Sequence, residues 1–432
     1  MEYKRLFLRE GLLEAFVDLM QAPLSKTEQR RDDKDNNTIE LVLHLFRNLL
    51  CAEPVVKNTA SLVNEDIRIH QQLVAVFQKE LVFDIMIFLG EGTAHKKNER
   101  WNLLIMEILY FLLRNQDPSM TAQSATMLVS GITRRGDDEN KKKGGALSAA
   151  RKREKAKLSS IATKGARHSR FGGTLRLKDS SKVLTSSSVS NSTSTARRKN
   201  KQTAAFAADA NVATSNKYHR ALLTPIALNA FKALNDFSHS FVEKCYGPVM
   251  KSLKNEFRRD SNRLEANDKV VFFKIVWFFS VWQRNQLESE GGQGVSSSSS
   301  LGVGQLLFTL DLFSFNLVTS ACDQYVAEKR PAALAQAVAL YKEMTKLLSI
   351  MNNSREESQN IMSLGLQHQL FFTSEPKDKI FKLLSSWKSG THSKQYLCDL
   401  VELVHVTIKL LDLSARKWKR KVRMEGVLKL VP

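Results

Sequence analysis

An all-α protein is what this sequence predicts, and three observations lead there. Apolar residues recur at the three-to-four spacing of one helical face through almost the whole chain. No run of period-two alternation bounded by turn residues stands out as a strand. The interruptions are confined to two polar segments of biased composition, and similar helices resume beyond each. Helices of about 12–22 residues joined by short turns suit a HEAT- or armadillo-like stack. No repeat is legible letter by letter at the periods such arrays use.

The elements can be taken in order. Between Thr38 and Leu50, Ile39, Val42, Phe46 and Leu49 share a face, with Asn37 the expected N-cap and Glu40 three residues on. Between Asn98 and Arg114, Trp101, Leu104, Ile105, Ile108 and Leu112 make a clearer stripe. Asp117-Pro118 then reads as an N-cap followed by proline at the first helical position. From Asp268 onward Val271, Phe272, Ile275, Phe278, Phe279 and Trp282 repeat the pattern. Ile380, Leu383, Leu384 and Trp387 do so again, and Leu397, Leu400, Val404, Ile408 and Leu411 form the last stripe.

Residues 134–216 are rich in Lys, Arg, Ser, Thr, Ala and Gly and poor in large apolar side chains. Such a segment cannot bury enough surface to offset its conformational entropy, so it is expected to be mostly disordered. A Gly/Ser tract, Gly291 to Ser300, makes residues 287–304 a flexible linker by composition. The organisation expected is N-terminal helical repeats over 1–133, a basic insertion over 134–216, and C-terminal helical repeats over 217–432 that end in a basic segment at 416–432.

Net charge is +21, and its location says more than its size. Residues 134–201 carry +15 and residues 416–432 carry +6, which leaves the rest of the chain balanced. A neutral body with two concentrated basic segments fits a polyanion-binding or nuclear-import device. In the insertion the clusters are Lys141, Lys142 and Lys143, then Arg151, Lys152 and Arg153, then Arg197, Arg198 and Lys199, spaced for nuclear localisation or phosphate contact. At the other end Arg416, Lys417, Lys419, Arg420, Lys421 and Arg423 surround Trp418 and continue an amphipathic helix. Charge held that close to folded structure is the better DNA-binding candidate, through phosphate contacts that do not read sequence.

Catalysis is not expected. Gly90-Glu91-Gly92 and the Gly291–Gly294 cluster lack the Lys-Ser/Thr and the preceding strand of a phosphate loop. No His-Glu-x-x-His or paired ligand spacing occurs among nine histidines, so neither metal nor cofactor is expected. His44 and His405 lie within apolar helices and read as hydrogen-bonded structural histidines. Asp399 and Glu402 read as an exposed or partner-facing pair rather than an acid/base couple. Cys51, Cys245, Cys322 and Cys398 are far apart, three of them in or beside apolar helices, which fits small hydrophobes in a reducing compartment. The sequence has no apolar stretch long enough to span a membrane and no signal-peptide pattern after Met1.

Several segments, in order, resemble the N-terminal region of the Timeless family of replication fork protection proteins. They are Glu2-Tyr3-Lys4-Arg5-Leu6-Phe7; Thr38 to Leu43 leading into Phe46-Arg47-Asn48-Leu49-Leu50; and Asn102 to Leu109 followed by Gln116-Asp117-Pro118. Arg167-His168-Ser169-Arg170-Phe171-Gly172-Gly173-Thr174 is similar to a family signature, with Arg167, His168, Phe171, Gly172 and Gly173 as its distinctive positions. Asp378 to Trp387, Tyr396 to His405 and Lys409-Leu410-Leu411 are similar to the end of that region. The family has further helices before the first of these segments and a large C-terminal half beyond the last.

The resemblance implies a right-handed α-solenoid that works in the nucleus as a non-enzymatic scaffold at replication forks. It further implies a Tipin-like subunit, the replicative helicase and other replisome components, and double-stranded DNA as partners, with no membrane and no small-molecule substrate. The roles implied are stabilising stalled forks and supporting S-phase checkpoint signalling. Two other readings stay open on the residues: a helical repeat adaptor or import-type protein binding acidic peptides, and a circadian-type relative within the same family.

Overall fold

The structure, a computed structural model, describes residues 2–9, 11–27, 29–52, 60–95, 98–124, 174–176, 183–185, 225–259, 263–265, 267–291, 303–353, 357–372 and 374–428. The described chain is mainly helical. Its helices are α1 (Glu2–Phe7), α2 (Leu12–Ser25), α3 (Asp33–Cys51), α4 (Ala60–Lys79), α5 (Val82–Gly92), α6 (Asn102–Leu113) and α7 (Pro118–Ala122). After the insertion follow α8 (Pro225–Lys244), α9 (Tyr246–Arg259), α10 (Asp268–Gly291), α11 (Leu312–Ala327), α12 (Pro331–Asn352), α13 (Glu357–Phe372), α14 (Ser374–Ser385) and α15 (Lys394–Leu428). Short 3-10 turns at Glu99–Trp101 and Val303–Phe308 precede α6 and α11.

The chain divides into two compact units, one formed by Met1–Ala125 with Thr224–Pro432 and one by Thr126–Leu223. The second is described only at two antiparallel three-residue strands, β1 (Thr174–Arg176) and β2 (Val183–Thr185), with Thr174 opposite Thr185 and Arg176 opposite Val183. These strands depart from the helix-only expectation. Three residues are too few for an alternation to show in the sequence.

In the first unit α2 packs on α3, α3 on α6, α6 on α10, α10 on α12 and α12 on α15. Alongside this row α8 meets α4, α5 and α9, while α11 and α13 flank α12. Helices in the middle of such a row have neighbours on more than one side, and their sequences show it. In α10, Phe272, Phe273, Ile275, Val276, Phe278, Phe279 and Trp282 are all buried, which is more than one stripe. Trp282 donates its indole N–H to Asn235 of α8 at 3.0 Å, and Gln286 donates to the same oxygen at 2.9 Å. Asn285 reaches Ser119 of α7 at 3.2 Å, so polar contacts as well as apolar ones join the helices before and after the insertion.

Several local expectations shift. α3 starts at Asp33, and its N-cap is Asp32 in a reciprocal capping box with Asp35, not Asn37. Apolar periodicity begins only at Ile39, so it hides a first turn built from acidic and polar residues that suit the positive end of the helix dipole. Asp117 does cap α7, accepting from the Ser119 N–H at 2.9 Å, with Pro118 next. Trp101 is buried as its stripe implies, although it sits in the 3-10 turn before α6. Trp387 lies past the end of α14 and is only half-buried.

The last stripe is rotated. The face α15 buries runs through Tyr396, Asp399, Leu400, Leu403, Thr407 and Leu410, while Ile408 and Val401 are about half exposed. Polar residues occupy two inward positions there, so apolar periodicity alone misplaces the face.

Close approach between elements is sharpest at Gly247. A Cβ there would stand 2.7 Å from the Phe308 ring, so glycine lets α9 meet the second 3-10 turn without displacing that ring. Nearby, Tyr246 and Thr309 share a buried hydroxyl hydrogen bond of 2.7 Å.

Candidate nucleic-acid interface

The basic end of the chain is carried on α15, whose 35 residues span about 50 Å at the usual helical rise. Its N-terminal half is fixed to the body by charge as well as by apolar contact. Lys342 of α12 lies 2.8 Å from Asp399 and 3.4 Å from Glu402, and Lys346 lies 2.8 Å from Glu402. Glu343, also on α12, is nearly sealed from water and takes Arg284 of α10 at 2.9 Å. Burial by itself would raise the Glu343 carboxyl, but Arg284, Lys346 and Lys342 together hold it below its usual value. Burial likewise works against the Lys342 ammonium, and the surrounding carboxylates outweigh it, so its pKa is raised. Asp399 is thus a buried structural tie between α12 and α15, not the exposed residue expected, whereas Glu402 is exposed as expected and still pairs with Lys342 and Lys346. Their partners are lysines of a helix distant in sequence, which no local pattern reveals.

Beyond Leu411 the helix runs on to Leu428. Positions 416, 419, 420 and 423 fall along one side of the helix and 417 and 421 beside them, by the 3.6-residue period. Arg416 is the last of the six whose side chain is described. It makes an exposed i,i+4 ion pair with Asp412 at 2.8 Å, so a phosphate would share or displace that carboxylate. The side chains of Lys417, Lys419, Arg420, Lys421 and Arg423 lie outside the described residues, as do Lys141 to Lys143, Arg151 to Arg153, Arg197 to Lys199, and the motif positions Arg167, His168, Phe171, Gly172 and Gly173.

Other residues singled out by sequence have plain roles. Arg47 of α3 bridges to Glu107 of α6 at 2.8 Å, donates to Asn48 and lies over the Phe111 ring. Asn102 is fully buried and donates to Ser252 of α9 at 3.0 Å, while Arg263 donates to the Arg100 carbonyl at 2.7 Å. His44 and His405 are exposed rather than structural core histidines, because each falls on the outer side of its amphipathic helix. Cys245 and Cys322 are buried, and burial pushes both thiols up to about 12. Cys51 is partly buried and Cys398 exposed. Among the described residues, no group of three or more His, Cys, Asp or Glu is placed to hold a metal ion, and no helix is long and apolar enough to cross a membrane.

Sequence reasoning missed one basic concavity. Arg114 at the C-cap of α6, Lys274 of α10 and Arg330 before α12 line a cavity of about 530 Å³ with Tyr110 and Gln336. They come from three distant segments, and no long charge run marks them.

Comparison with known proteins completes the picture. Residues 1–177 match the family model described as Timeless protein. The protein timeless homolog of Mus musculus is 24% identical over 429 residues, covering 96% of this chain and 33% of its own length. The Homo sapiens homolog gives the same identity and coverage. Topoisomerase 1-associated factor 1 of Cryptococcus neoformans is 22% identical, covering 95% of this chain and 37% of its own. The chain spans about a third of the length of these relatives. The resemblance to the Timeless family read from the sequence is borne out.

Proposed function

We propose that this Timeless-like chain is a non-enzymatic fork protection scaffold that associates with the replisome in the nucleus. The observation that carries the reading is the collinear similarity to Timeless homologs over 96% of the chain, with the family match over residues 1–177. The succession α2, α3, α6, α10, α12, α15, each packed on the next, supports an α-solenoid of HEAT- or armadillo-like repeats, whose right-handedness is what the family resemblance implies. Such a body offers extended faces to a Tipin-like subunit and to the replicative helicase. The basic end of α15 and the basic insertion grip duplex DNA through phosphates, without reading sequence. Through these contacts the protein stabilises stalled forks and supports S-phase checkpoint signalling. The name of the fungal relatives, topoisomerase 1-associated factor, adds a topoisomerase as a further proposed partner.

Affinity purification from nuclear extract with mass spectrometry tests this. Recovery of a Tipin-like subunit with helicase components is the expected result. Recovery of transport factors or acidic cargo with no replisome component would replace it with the adaptor reading, and a circadian partner set would move the protein within its family.

A further inference from the structure

We infer that the cavity at the N-terminus of α12, walled by Arg114, Lys274 and Arg330, receives an anionic side chain, carboxylate or phosphoryl, projected by a peptide partner. This site is separate from the basic end of α15, and the inference stands whether or not the fork reading does. Its centre is Lys274. That side chain is partly buried in α10, and its ammonium lies 4.1 Å from the centroid of the Trp277 ring. Burial lowers its pKa, and no carboxylate offsets the effect among the described residues. A cation withdrawn from water with only a ring face for company is costly to the fold, and an incoming anion offsets that cost.

Two further groups lack acceptors at the same place. The Gln336 amide Nε2 is buried and makes no hydrogen bond. Arg330, the N-cap residue of α12, supplies no side-chain acceptor to the first turn, which leaves the N–H groups of Ala332 and Ala333 suited to an anion. Arg330 is largely compensated, donating to Asn267 Oδ1 at 2.5 Å, reaching Glu328 at 3.4 Å and lying over the Tyr325 ring, so Lys274 is the cation of the cavity with most to gain from a ligand.

The shape argues for a peptide rather than a duplex. A duplex presents its phosphates as a closely spaced, repeating row along a convex backbone. Here the cations stand in a concavity with Tyr110, Val270 and Pro331 as apolar walls, which suits one projecting side chain and its flanking residues.

The test uses the full chain and amine-reactive footprinting of Lys274 read by mass spectrometry. The probes are a short Glu-containing peptide, the same peptide with phosphoserine in place of Glu, and a Gln control. Either anionic peptide should slow modification of Lys274 several-fold while the Gln peptide leaves it unchanged. The more protective arm identifies carboxylate or phosphoryl. In a labelled-peptide titration Lys274→Met should weaken binding about tenfold or more, the scale of one charge-assisted hydrogen bond, with duplex affinity unchanged. No protection by either anionic peptide, or equal protection by the Gln peptide, would overturn the inference. Protection by a short duplex, with a parallel loss of duplex affinity in Lys274→Met, would assign the cavity to nucleic acid instead. The footprint needs no variant, so a misfolded Lys274→Met cannot obscure the result.

Discussion

Lys342 Nζ stands 2.8 Å from Asp399 Oδ1, and both residues are less than a tenth exposed, so α12 and α15 are joined by an ion pair made inside the protein. The worth of such a pair differs from the damage done by breaking it. Asp399→Ala removes the nearest acceptor of a buried ammonium that keeps Glu343 at 3.2 Å and Glu402 at 3.4 Å, and a loss of about 1–3 kcal/mol is expected by chemical denaturation. Replacing both partners, Lys342→Met with Asp399→Leu, should recover only part of that loss, because Glu343 and Glu402 then lose Lys342 and keep only Arg284 and Lys346 between them. A single-variant loss under about 1 kcal/mol would mean that water reaches the pair.

Acid should loosen that network and also the Lys254–Asp311 contact between α9 and the start of α11. The carboxyls of Glu343, Glu402 and Asp311 are all held below their ordinary values despite partial burial. A carboxyl with a depressed folded pKa binds protons less readily folded than unfolded. Its stabilisation is present above the ordinary value, 4.5 for the glutamates, and is lost as pH falls through the lower folded value. Asp268 runs the other way, since burial raises its carboxyl. Thermal midpoints should therefore drop as pH goes from about 6 to about 3, and Glu343→Gln should start lower and fall less steeply. Parallel curves for the two proteins would remove Glu343 from the account.

The two tryptophans of the sequence stripes should separate. Trp101→Ala should cost about 3–5 kcal/mol, because the ring is sealed in the core. Trp101→Phe should cost less than size alone suggests, since the indole N–H it removes is buried without an acceptor. Trp387, half-buried beyond α14, should cost less than Trp101 on truncation. Equal losses in thermal melts would place Trp387 deeper than the structure does.

The contrast between these residues shows what a sequence of this kind reveals. Where partners lie within one helical turn, as for Asp117 and Pro118 at the start of α7, the sequence is legible because capping chemistry is local. The helical character of α10 is legible too. Its burial on several sides is harder to see from one stripe, although Phe272, Phe273, Phe278 and Phe279 point around most of the helix. Asp399 is misread from its neighbours, because its environment is set by Lys342, 57 positions away. The same holds for the cavity, where Arg114, Lys274 and Arg330 meet only through tertiary packing. Charge runs advertise themselves in a sequence, whereas converging single charges do not.

Gly247→Ala should expose how tightly α9 meets the turn before α11. The added methyl falls 2.7 Å from the Phe308 ring, so the ring or the helix must shift. A destabilisation of about 1–3 kcal/mol is expected, as for overpacking elsewhere. Phe308→Leu in the same background should relieve part of it, and a double variant no better than Gly247→Ala would point to backbone strain instead.

The last prediction concerns the basic end of α15. If positions along this helix touch duplex phosphates, replacing Lys417, Lys419, Arg420 and Lys421 together by Ala should weaken binding to every duplex alike. The plot of log affinity against log salt should also flatten, by about 0.9 unit for each phosphate that is no longer neutralised. Arg416 stays in place in this variant because its pairing with Asp412 at 2.8 Å partly satisfies it already. Replacing Arg151, Lys152 and Arg153 should change affinity less, since charges on a tether of that composition substitute for one another and lose entropy on binding. The triple change is better scored by nuclear localisation. Fluorescent-duplex titrations at several salt concentrations separate the two segments. An unchanged slope in the four-residue variant would mean that this end of the helix faces a protein, and duplex binding would then rest on the insertion alone.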